Sequence, residues 1–136
     1  MKILVVTTSF PQKSNPNSGF FVKQLIVNFS DNIETTVVTP ADRHKTGIIR
    51  DERFTQVNFS YGPASVRTLA HAPGGLAELQ NGKIKLLFLP VLLVSEFIAT
   101  LKWSFKSDLI HANWSINGII ASIAGAISRK PVITTL

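Results

Sequence analysis

Segments that read as strands and segments that read as helices alternate along the whole chain, which predicts an α/β fold built on a parallel sheet. Three features carry that prediction. KILVVTT, residues 2–8, is β-branched and almost wholly apolar, the composition of a strand covered on both faces. IETTVVTP, residues 33–40, has the same character one helix further on. SINGIIASIAGAIS, residues 115–128, is apolar on nearly every side of a helix and is followed at once by another strand, PVITTL. The 136 residues suffice for one domain with a real core, and a chain 45% hydrophobic and 16% charged folds.

Each element has a local reason. The first strand runs into SFPQKSNPNSG, residues 9–19, where prolines, asparagines and a glycine make a loop. Ser18 is placed to cap the following helix, in which Phe21, Leu25 and Phe29 recur every four residues beside Val22 and Ile26. After the second strand, ADRHKTGIIRDER reads as a polar connection. QVNFSYGP then alternates Val57, Phe59 and Tyr61 with polar residues, the period of a half-exposed strand nearer a sheet edge. Residues 62–84, entered through YGP and containing APGG and NGK, read as a long connection with a short helix near Arg67. Pro90 suits the first turn of a helix reaching about residue 105. SDLIHAN is the next strand. In the helix after it, Gly118, Ala121, Ala124 and Gly125 allow close approach to a sheet. Arg129 and Lys130 suit its C-terminal dipole, and Pro131 stops it. The last strand, with Val132, Ile133 and Leu136, has nothing after it. One domain is expected, incomplete at that edge, with an uncovered strand that favours self-association.

The formal charge is +6, which suits phosphate, nucleic acid or anionic lipid as a partner, and equally a plain basic surface. No RNA- or DNA-binding motif accompanies the charge, so no nucleic-acid partner is expected. Without cysteine there is no disulfide and no cysteine metal site, and His44, His71 and His111 are too scattered for zinc. MKILVVTTSFP lacks the long apolar core and cleavage site of a secretory signal, and LLFLPVLLV, residues 86–94, is too short to span a bilayer. A cytoplasmic protein is expected. No G-x-G-x-x-G follows the first strand, and there is no Walker A motif, no D-x-D pair and no G-x-S-x-G. Asp42 holds the place of a ribose-binding acid, but without the glycines it means little.

Ligands of open α/β sheets bind beyond the carboxyl ends of the strands. Two segments end such strands with suggestive residues: the loop reaching Gly19, and DLIHANWSING, residues 108–118. Both lead into helix N-termini, which favour anions, and a shared cleft is expected there. His111 reads as a donor or base toward a polar substrate, or as a satisfied structural histidine. Asn113 binds a hydroxyl or caps the helix, and Trp114 stacks on a sugar or packs. Gly19 lets a ligand approach the backbone or simply begins a helix. KIKLLFLPVLLVSEFIATLKWSFK, residues 83–106, carries lysines at both ends. It suits an anionic membrane surface, or a core helix with solvated ends.

Taken in order, MKILVVTTSFP, SGFFVKQLI, TTVVTP, VNFSYGP, APGGLAEL and DLIHANWSINGIIASIAGAISRKPVITTL resemble the N-terminal domain of a GT-B glycosyltransferase of family 4, the group 1 type. The resemblance runs through nearly the whole chain. It implies two Rossmann-like domains facing a cleft, with helices on both faces of each sheet. Residues 1–136 are then the N-terminal, acceptor-side domain, and the C-terminal donor-binding domain is absent. It further implies retaining transfer from a nucleotide-sugar donor to a polysaccharide or lipid-linked acceptor, in bacteria, with no metal or other cofactor. Gly19 matches the glycine of the family's first loop, and Ser18 replaces a second glycine found in many relatives. His111 matches the first histidine of an HxHW pattern, and Asn113 stands at the second. On this resemblance His111 is the catalytic candidate, and Ser18, Gly19, Asn113 and Trp114 are the substrate-binding ones. A basic N-terminal domain suits a lipid-linked acceptor at the inner face of a membrane. The family stabilises the leaving diphosphate from its second domain, so these residues alone are not expected to transfer sugar. Two rival readings stay open. One is a non-catalytic acceptor-binding or membrane-docking module that pairs with a separate catalytic chain. The other is a different nucleotide-binding enzyme of Rossmann type, against which the glycine pattern speaks.

Overall fold

The computed structural model describes residues 1–44, 46–67 and 86–136. The elements are β1 (Lys2–Val6), α1 (Phe20–Val27), β2 (Glu34–Pro40), β3 (Gly47–Arg50), β4 (Phe54–Phe59), α2 (Leu89–Ser104), β5 (Leu109–Asn113), α3 (Ser115–Ser128) and β6 (Val132–Thr135). They build a six-stranded sheet in the order β3-β4-β2-β1-β5-β6. All neighbours pair in parallel except β3 and β4. The α/β class, the Rossmann-like sheet and the helices on both faces are therefore as expected. The segment of the long connection that holds His71 and APGGLAEL lies outside the described residues, and Arg67 closes a turn that Val66 and Arg67 make back to Pro63 O.

The period of two sorts the core. Ile3 and Val5 of β1 face α1, where they meet Val22, Ile26, Val37 and Phe54. Leu4 and Val6 face the other way, onto a larger cluster with Val38, Phe59, Leu92, Ile110 and Ala121. Among the described residues, one helix covers the first face and two cover the second, the arrangement that buries a parallel sheet.

Four expectations needed correction. First, ADRHKTGIIRDER is not all connection: Gly47–Arg50 forms β3, antiparallel on β4. Its two isoleucines are hidden between polar flanks. Gly47 enters the strand at φ 95°, and a tight turn, Asp51 N–H to Phe54 O at 2.9 Å, leads into β4. Second, β3 takes the edge, so β4 lies inside the sheet and its alternate polar residues Gln56 and Asn58 are buried rather than solvated. Third, α1 turns Val22 and Ile26 inward and leaves Phe21 and Leu25 exposed; the helix is only two turns long and sits on a narrow strip of sheet. Fourth, Ser18 does not cap it. Gly19 is the N-cap, in the left-handed region, with no side-chain cap bond.

The helices α2 and α3 pack through small and polar residues. The buried side of α2 is Leu92, Glu96, Thr100 and Ser104, spaced by four. The buried side of α3 includes Gly118, Ala121, Ala124 and Gly125, as the sequence suggested. Gly118 meets Thr134, and Gly125 meets Val132, so both glycines let α3 lie close on β6. The isoleucines at 116, 119, 123 and 127 point outward, so α3 is not buried all round.

Candidate functional site

The chain runs outward from β1 through β2 to β4 and β3, then crosses back to place β5 on the other side of β1. The carboxyl ends of β1 and β5 therefore flank the switch point where open α/β sheets open a ligand crevice. The loop after β1 and the residues after β5 form its rim.

Trp114 is the most informative residue there. It joins β5 directly to α3 at φ 76°, ψ 153°. That conformation is essentially restricted to glycine, and a non-glycine residue in it stores of order 1–3 kcal/mol. The backbone around it is fully engaged. Trp114 N–H donates to Thr135 O at 2.8 Å, and Trp114 O accepts from Gly118 N–H at 2.9 Å. Trp114 is 44% exposed, and its indole stands edge-on to Phe21 of α1, centroids 5.8 Å apart and planes at 85°. Two aromatic rings thus stand together, in the open, across the switch point. Phe21 was legible only as a core residue; no signal in the sequence pairs it with Trp114.

His111 lies two residues before the end of β5, in register with Val5 on one side and Ile133 on the other. It is half-buried, and its Nε2 is 2.8 Å from the Thr135 hydroxyl. Burial lowers its pKa from the ordinary histidine value, which favours the neutral ring. A neutral imidazole can donate from one nitrogen and accept at the other. Thr135, not singled out from the sequence, holds the ring in place.

Asn113 is 2% exposed. Its side chain lies under the rim rather than on it, and its Nδ2 donates to no described residue. Its carbonyl accepts from Asn117 Nδ2 at 2.6 Å, which secures the first turn of α3. The cap of α3 is Trp114, so Asn113 is not the cap either. Ser18 is half-buried and donates its backbone N–H to Asn15 O at 3.2 Å. Gly19 has a reason within the chain: a Cβ there would lie 1.9 Å from Ser9 O, at a φ of 60°. The start of the loop fills the space that a side chain would need. Among the described residues no group of three or more His, Asp or Glu side chains is placed to hold a metal ion.

Fold and crevice together define an α/β, Rossmann-like domain. Two solved structures of sucrose-phosphate synthase from Thermosynechococcus elongatus are similar to it over 98% of its length, at TM-scores of 0.56 and 0.57. Sequence identity is 14% and 13%, so the likeness is one of fold. The chain spans 61% of the length of the first and 31% of the second. No family model and no curated protein matches the chain.

Proposed function

We propose that residues 1–136 are the acceptor side of a retaining glycosyltransferase of the family 4 kind, which moves a sugar from a nucleotide-sugar to a polysaccharide or lipid-linked acceptor. The observation that carries this reading is Trp114: an exposed indole, held in a glycine-only backbone conformation, at the switch point of the sheet. Strain of that kind persists where an orientation is needed for something other than stability. A sugar offers apolar C–H faces, and the paired rings of Trp114 and Phe21 offer a surface to stack them on. The similarity in fold to sucrose-phosphate synthase supports the same class.

In this reading His111 lines the cleft beneath the rings and binds or polarises a sugar hydroxyl as a neutral imidazole. The test is made on the complete product of the open reading frame, assayed for sugar transfer from a panel of nucleotide-sugars. His111→Ala should cut turnover at least tenfold, about 1.4 kcal/mol, with unfolding unchanged. Unchanged turnover removes His111 from the site. Detectable binding of a nicotinamide cofactor instead revives the reading as a different nucleotide-binding enzyme.

A second reading, a membrane-docking module, has its own observation. Leu87, Val91, Val94, Ile98 and Phe105 are exposed along α2 and its flanks, with Lys102 and Lys106 among them. No helix among the described residues is long and apolar enough to cross a membrane. An apolar face bordered by lysines suits the surface of an anionic bilayer. Sedimentation with phosphatidylglycerol vesicles should be salt-sensitive and should weaken in Ile98→Glu; no binding at low salt counts against docking.

A further inference from the structure

A cavity opens on the far side of β1 from β5 and its Trp114 rim. It holds about 490 Å³ between the loop after β1, the residues Asp42 and His44 that follow β2, and strands β3 and β4, a size typical of small-molecule sites. Its floor is chemically unusual. Phe54, Gln56 and Asn58 alternate onto one face of β4. Phe54 packs edge-on against Phe10, but the next two positions are amides, exposed by only 7% and 3%. Buried amides call for partners. Gln56 Nε2 donates to Asn58 Oδ1 at 2.8 Å, and Asn58 Nδ2 reaches Gly47 O at 3.4 Å. Gln56 Oε1, which accepts from no described residue, is left for the cavity that both amides line.

The wall facing this floor is fixed in advance. Gln12 Nε2 donates to Pro40 O at 2.5 Å, and Gln12 Oε1 accepts from Asp42 N–H at 3.1 Å. The Asp42 carboxylate accepts from Ser14 N–H at 3.1 Å, Ser14 Oγ at 3.0 Å and His44 N–H at 2.8 Å. The loop is clasped to the end of β2, so little ordering remains for a ligand to bring about.

The lining selects a class of ligand. Each amide both donates and accepts, as each hydroxyl of a sugar does. Pro16 and Ile49 supply an apolar wall for the C–H face of a ring. Lys13 is offset by Asp42, which is a poor basis for a bare phosphate but a suitable one for a neutral polyol. The loop 9–19 that walls this cavity runs on into α1, which carries Phe21 to Trp114. From β4 to β5 is three strand spacings, roughly 14 Å, the reach of a short oligosaccharide.

We propose that this cavity is a second saccharide subsite, which holds an inner sugar of an oligosaccharide acceptor whose reactive end lies at Trp114. The proposal rests on the acceptor-side reading above and narrows it to an extended glycan. The experiment is an NMR titration of the 136-residue chain. The probes are methyl α-glucoside, methyl α-mannoside and methyl α-galactoside, then the trisaccharides of the same sugars, with sodium phosphate titrated separately. The side-chain amides of Gln56 and Asn58 and the indole of Trp114 are followed together.

A trisaccharide should move both sets of signals and bind at least tenfold more tightly than its methyl glycoside. Gln56→Leu should abolish that gain while the Trp114 shift persists. Ile49→Trp, which fills the cavity from its apolar wall on an edge strand, should do the same and serves should the first variant fold poorly. Shifts at Trp114 alone, with equal affinity for single and triple sugars, overturn the subsite and leave the glycosyltransferase reading standing. Shifts confined to the two amides retain the subsite and overturn the reading at Trp114. No shift from any sugar, or shifts from phosphate alone, overturn the subsite.

Discussion

Glu96 is buried to 1% exposure on the inner side of α2, and neither carboxylate oxygen has a hydrogen-bond partner among the described residues. Desolvation pushes its pKa up to about 7. Because the folded-state pKa lies above the unfolded one, its contribution to stability is full below about pH 4.5 and is lost as the pH rises through about 7. The loss is on the order of 3 kcal/mol at most. Urea unfolding at pH 5 and pH 8 should show it, and Glu96→Gln should flatten the profile and be the more stable protein at pH 8. A parent profile that rises between those pH values would show that the carboxylate is paired. Gly19 makes a companion case. Gly19→Ala must place a methyl group against the Ser9 carbonyl at a left-handed φ, whereas Gly47→Ala meets strain at φ 95° but no atom within 4 Å. The first should destabilise by several kcal/mol and the second by about 1–2. Thermal unfolding of the two variants separates them; equal losses would mean that the loop yields and that Gly19 is kept for its φ alone.

Helices and strands show what the sequence could and could not disclose. The long elements were legible because their signals are local: Pro90 starts α2, and Pro131 with the basic pair Arg129–Lys130 ends α3. Strand β3 was hidden because four residues bear too little pattern to stand out between polar flanks. The environment of β4 was misread for the same reason: the alternation of Gln56 and Asn58 with Val57 reports two faces, and only the neighbouring strand decides whether the polar face meets water. At the candidate site, the rim positions after β1 and β5 were readable from where strands hand over to helices. The partnership of Trp114 with Phe21, and the burial of Asn113, depend on side-chain packing across the sheet and were not. The glycines of α3 give an element-scale prediction. Alanine normally favours a helix over glycine by about 1 kcal/mol. Gly125→Ala should nevertheless lower the melting temperature, because its Cβ would fall 2.4 Å from Val132 Cγ2 and 2.9 Å from Lys130 O. Gly118→Ala, which meets only the Thr134 side chain, should cost less. A rise in melting temperature for Gly125→Ala would contradict the close seating of α3 on β6.

The whole molecule is covered unevenly. The described sheet ends at β6, whose outer edge pairs with no described strand, and Ile133 is 53% exposed on the face of β6 turned away from α3. An uncharged free edge of this kind invites pairing with another copy. The 136-residue chain should associate with concentration in light scattering, and Ile133→Lys should shift it to monomer; a monomer at high concentration would exclude edge pairing. At this scale the rim of the molecule, not its core, carries the strained Trp114 and the open aromatic surface. That claim is tested most directly by Trp114→Gly, measured for unfolding free energy and for sugar transfer by the complete protein. Glycine relieves the φ 76°, ψ 153° conformation while losing the contact with Phe21, so stability should stay within about 1 kcal/mol of the parent. Transfer should fall more than tenfold. A variant that is clearly less stable yet transfers sugar at the parent rate would show that Trp114 is there for packing, and the acceptor-side reading of the rim would fall with it.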